Sequence, residues 1–75
     1  MNISDIIIHI NETLNMEQRQ SLEESMRQID GVVSPHFNPG KEHLLAVAYN
    51  TDKIGSSTLL ASVRKAGYTA QLVGM

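Results

Sequence analysis

Few side chains here can do chemistry. The sequence has no cysteine, and therefore no thiol nucleophile, disulfide or thiolate metal site. The remaining borderline or soft donors are His9, His36 and His43, with Met1, Met16, Met26 and Met75. A zinc site needs about four ligands in tetrahedral reach. No carboxylate–histidine pair at helical spacing helps to supply them. The histidines fall on three separate predicted strands and read as exposed strand residues rather than ligands. Met26 belongs to an apolar helix stripe, Met1 reads as the initiator and Met75 is terminal. Only Met16 is left, and one thioether is not a site. There is no Ser-His-acid constellation and no glycine-rich phosphate loop, and Ser21 and Ser62 read as ordinary helix serines.

The elements that must position these groups follow from apolar spacing. Ile6, Ile8 and Ile10 share the buried face of a first strand over residues 6–10, with Ile7 and His9 opposite. A polar loop from Asn11 to Asn15 leads into a helix over residues 16–29, with Leu22, Met26 and Ile29 as its apolar stripe. Asn15 and Gln18 stand three apart, as in a capping box built from two amides. Asp30-Gly31 ends that helix, because glycine takes the left-handed backbone a terminus needs.

A second strand over residues 32–38 contains Pro35, which has no N–H to give a ladder, so it belongs at a sheet edge or carries a bulge. Asn38-Pro39-Gly40-Lys41 fits a type II turn into a third strand over residues 43–49. Ser56 or Ser57 is expected to cap a second helix, in which Leu59, Leu60, Val63 and Ala66 form the buried side. Gly67 closes it, and residues 68–73 make the last strand.

This order is a βαββαβ split sandwich: an α+β, ferredoxin-like fold with a four-stranded antiparallel sheet and both helices on one face. Residues 1–75 form one domain of this kind. The opposite sheet face stays open and is lined in part by Ile7, Leu44, Ala46 and Ala48. With the first, third and second strands adjacent in that order, His9 and His43 approach each other.

The net charge of -2 argues against a nucleic-acid binder that works by neutralising phosphates. Ile7, Leu44 and Ala46 stand where an RNA-binding sheet carries stacking aromatics, which weakens that reading further. An acylphosphatase-like reaction needs an arginine cradle in the first loop, and Asn11 to Asn15 supplies none. No apolar run approaches membrane-spanning length, and no basic segment precedes the isoleucines as in a secretory signal. These features set the expectation of a non-enzymatic cytoplasmic module without a cofactor or direct membrane insertion.

Three segments resemble the heavy-metal-associated domain of copper chaperones and metal-pumping P-type ATPases. They are Ile29-Asp30-Gly31-Val32 with Pro35 and Phe37; Leu45, Val47, Tyr49 and Asn50; and Leu59-Leu60 to Val63 with Ala66-Gly67-Tyr68-Thr69-Ala70. That family's working motif is Met-x-Cys-x-x-Cys between the first strand and first helix. Counting back from Gly31, the cysteine positions fall on Asn15 and Gln18, and the methionine position falls near Thr13. Amides are hard, neutral oxygen donors, so thiolate binding of Cu(I) does not carry over.

The resemblance implies an interaction module in a metal-handling system that has lost thiolate binding. Its partner is another protein or domain, with a metal transporter as one candidate. The partner-facing surface is expected at Thr13, Leu14, Asn15, Gln18, Arg64, Lys65 and Tyr68, with Arg64 and Lys65 beside the first loop. Two alternatives stand beside it: a metal site using His, Met or carboxylate ligands, and a small-ligand regulatory module like the ACT domains, which share the topology and bind at a dimer interface.

Overall fold

The computed structural model describes residues 2–73 of the chain, so Met1 and Met75 lie outside the described residues. The element order is β1 (Ile3–Ile10), α1 (Met16–Arg27), β2 (Val32–Phe37), β3 (Leu44–Asn50), α2 (Ser56–Lys65) and β4 (Ala70–Val73). The strands form one antiparallel sheet in the order β2-β3-β1-β4. This is the expected split βαβ topology, and Pro35 sits on an edge strand. That strand also carries a bulge between Val32 and Ser34, just before the proline.

The two-residue period of β1 buries Ile6, Ile8 and Ile10, and that of β3 buries Leu45, Val47 and Tyr49. Leu22 and Met26 from α1, Leu59 and Val63 from α2, and Ala70 close the same core. Ile7, Leu44, Ala46 and Ala48 point the other way and are only half covered. Two glycines serve the connections directly. Gly40 has φ 78° in the β2–β3 turn, where Lys41 N–H donates to Asn38 O at 3.0 Å, as a type II turn requires. Gly31 has φ 100°, and a Cβ added there would meet Ile54 Cγ2 at 2.9 Å.

Several expectations need correction. α1 ends at Arg27 rather than residue 29, because its last turn tightens: Gln28 N–H donates to Ser25 O and Ile29 N–H to Met26 O. Ile29 leaves the helix and packs half-buried against the core. No serine caps α2; Gly55 is its N-cap without a side-chain bond, and Ser56 is already helical. Ala66 is exposed rather than buried. β1 begins three residues early at Ile3, since Ile3 to Asp5 pair with Asn50 to Ala48. β4 begins two residues late, at Ala70.

Candidate functional site

The first loop is held shut from several sides. At its end, Asn15 N–H donates to Gln18 Oε1 at 2.9 Å, and Gln18 N–H donates to Asn15 Oδ1 at 2.8 Å. This reciprocal capping box satisfies two main-chain donors that a helix start leaves free. It also engages both side-chain oxygens. The two positions that the resemblance aligns with thiols are therefore part of the helix cap.

Leu14, expected on the surface, is 2% exposed and belongs to the core. The loop reaches back after β1, and burying this one apolar side chain anchors it. Sequence reading missed Leu14 because a lone leucine between polar residues has no periodicity to betray it. The Arg19 guanidinium donates to Leu14 O and fixes the main chain at the same point. Thr13, Asn15 and Gln18 remain exposed, and so does Met16, at 66%.

On the other flank, Asn11 N–H donates to Thr69 O at 2.9 Å, and the Glu12 carboxylate accepts Thr69 N–H at 2.9 and 3.1 Å. That main-chain bond favours the charged form and holds the Glu12 carboxyl below its ordinary range. Arg64 Nε donates to Ala70 O at 3.0 Å, so this cation is fixed at the start of β4, next to the Thr69 that Glu12 and Asn11 meet. Tyr68 is half-buried in the same connection. Lys65 instead lines a groove between α1 and α2 with Ser25, Ile29, Ser62 and Ala66. Among the described residues it has no hydrogen bond or ion pair to the first loop.

The structure also brings His9 and His43 together, as the expected strand order implies. The His9 and His43 rings stack with centroids 5.8 Å apart and planes 14° from parallel. Both are half-buried rather than exposed strand residues, whereas His36 on β2 is exposed as expected. His43 Nδ1 lies 2.7 Å from Ile10 O, and His9 Nδ1 lies 2.6 Å from Gln71 Nε2. The two rings meet because β1 and β3 are neighbours and His9 pairs with Leu44, the residue beside His43. No group of three or more His, Cys, Asp or Glu able to hold a metal occurs among the described residues.

Comparison with known proteins gives a consistent picture. No protein-family model matches the sequence, and no curated protein does. Solved structures do. Oxidized MerP from Ralstonia metallidurans CH34 superposes with a TM-score of 0.84 at 11% identity, covering 97% of this chain and 100% of its own. The N-terminal domain of a potential copper-translocating P-type ATPase from Bacillus subtilis, in its Cu(I)-loaded state, gives 0.84 at 25% identity, over 97% and 90%. CopZ metallochaperone gives 0.80 at 22%, over 91% and 100%. This chain has the heavy-metal-associated domain fold. It carries that fold without the cysteine pair, in a sequence with no cysteine at all. The capping box and the buried Leu14 occupy the stretch between β1 and α1. Among the described residues no helix is long and apolar enough to cross a membrane.

Proposed function

We propose that this chain is a non-enzymatic interaction module that uses the heavy-metal-associated scaffold to contact another protein or domain and no longer grips Cu(I). One observation carries this reading: Asn15 and Gln18 spend both side-chain oxygens on the cap of α1. Cu(I) is a soft ion that selects thiolate or thioether sulfur, and neutral amide oxygens do not fit it. The exposed Met16 supplies one sulfur beside the cap, too few for a site.

The loop surface suits docking. Met16 offers an exposed apolar contact, and Arg19 and Arg64 are each fixed on a main-chain carbonyl, of Leu14 and Ala70. An apolar contact together with preorganised cations favours a partner with acidic groups. A domain of a metal transporter is the partner class that the structural neighbours bring to mind, since one of them belongs to a P-type ATPase.

Titrating Cu(I) into the chain while following backbone amide shifts tests the first half. The expected result is no saturable change over residues 11–18 at micromolar metal; saturable shifts there overturn the reading. For docking, R19E and R64E are expected to weaken binding of the transporter domain and to flatten its salt dependence. Unchanged affinity in both variants removes the docking role from this surface.

A further inference from the structure

We infer that His9 and His43 form a two-imidazole site for a borderline divalent cation of the Cu(II), Ni(II) or Zn(II) class, at the loop end of the open sheet face. This site adjoins the first loop at Asn11 but uses neither the helix cap nor the docking residues, and it does not rest on the docking reading.

The hydrogen bonds around the rings carry the inference. Ile10 O can only accept, so His43 must donate to it from Nδ1. That leaves Nε2 of the neutral ring as a free lone pair. A metal-bound histidine commonly has this arrangement, with the far nitrogen donating to a main-chain carbonyl that fixes tautomer and orientation. His43 is thus preorganised as a ligand by the backbone of β1.

His9 is held differently. Its Nδ1 meets the side-chain amide of Gln71 on the edge strand β4, and that same amide donates to Asn11 Oδ1 at 3.1 Å. A side-chain amide can turn over and present oxygen instead of nitrogen. Turned, Gln71 accepts a hydrogen bond from His9 Nδ1–H, and the lone pair of His9 Nε2 is freed as the second metal-binding nitrogen. Asn11 can turn its own amide to match.

The stack brings the donors close but does not yet aim them at one point. Two nitrogens on one ion lie about 3 Å apart. Near-parallel rings 5.8 Å apart therefore need one of them to swing. His9 is the ring able to do so, because its anchor is a side chain, while the anchor of His43 is main chain. Both rings are only half-buried, so water can complete the coordination. Imidazole nitrogen suits this class of ion, and Cu(II) is expected to bind most tightly among them.

Ni(II) added to the isotope-labelled chain is the test, at slightly alkaline pH. Ring and amide resonances of His9 and His43, with the amides of Ile10 and Gln71, are expected to broaden together and saturably. H9Q and H43Q should each weaken binding by about tenfold or more, in line with the loss of one of two ligands. H36Q removes the exposed histidine on β2 and should leave binding unchanged. An equal loss in H36Q, or broadening confined to one ring, overturns the paired site. If H43Q disturbs the strand end, the broadening pattern of the unaltered chain still decides. Saturable shifts centred on residues 13–18, without His9 and His43, also overturn this site; docking is judged by its own charge-reversal variants, so the two failures are distinguishable.

Discussion

Gly31 and Glu12 show how single residues hold the loops of this scaffold. At Gly31 a side chain meets both a left-handed backbone and the body of Ile54. At Gly40 the backbone is also left-handed, but nothing lies within 4 Å of an added Cβ. G40A is therefore expected to cost about 1 kcal/mol from conformation alone, and G31A distinctly more. Urea denaturation of the two variants checks this, and equal midpoints would mean that Ile54 simply moves aside.

Glu12 makes a pH prediction. Its carboxyl is held below the ordinary value of 4.5, mainly by the bond from Thr69 N–H. A depressed carboxyl contributes stability above its unfolded pKa and loses it as pH falls through the folded one. E12Q should accordingly be less stable than the unaltered chain near neutrality. The gap should close as pH drops below the ordinary glutamate range. A gap that persists in strong acid would show that charge is not its source. Leu14 completes the residue scale: L14A empties a buried site and should cost about 2–4 kcal/mol by denaturation.

At the scale of the element, the start of α1 is where structure and chemistry compete. The capping box gives Asn15 and Gln18 a complete structural role, so their amides need no ligand to explain them. N15A should cost about 1 kcal/mol. Q18A added to it should cost less than it does alone, because each amide acts through the same helix end. The double variant N15C/Q18C, which places two thiols where the resemblance puts the family motif, should bind Cu(I) more tightly than the unaltered chain, read by competition with a Cu(I) chelator. No gain would show that the aligned register is wrong by at least a residue. Glu23 belongs to this scale as well. Its carboxylate accepts Phe37 N–H at 2.8 Å. The helix thereby satisfies an amide at the sheet's edge strand.

Across the whole molecule, the strand order sets what is rigid. β1 and β3 are central and each is paired on both sides, while β2 carries a bulge and a proline and β4 spans only Ala70–Val73. Amide hydrogen exchange should accordingly be slowest at Ile6, Ile8, Leu45 and Val47, and faster in the edge strands. Equal protection in β2 would contradict that hierarchy. The same order leaves one sheet face uncovered by helices, with Ile7, Leu44, Ala46 and the histidine pair on it. It also sets the first loop and the end of α2 at one end, where Asn11 and Glu12 meet Thr69.

By itself the sequence determined the fold, because that information is local. Period-two isoleucines, helical leucines, Pro35 and the Asn38–Lys41 turn each constrain their own segment, and the segments agree on one topology. It also determined the cap at Asn15 and Gln18, whose donors and acceptors lie within one helical turn. Only the tertiary structure decided the rest. The burial of Leu14, the bond from Thr69 to Glu12 and the stacking of His9 on His43 join residues far apart in the chain or lacking any periodic signature. Such contacts depend on strand register and on the path of a loop, which no spacing within a short window encodes.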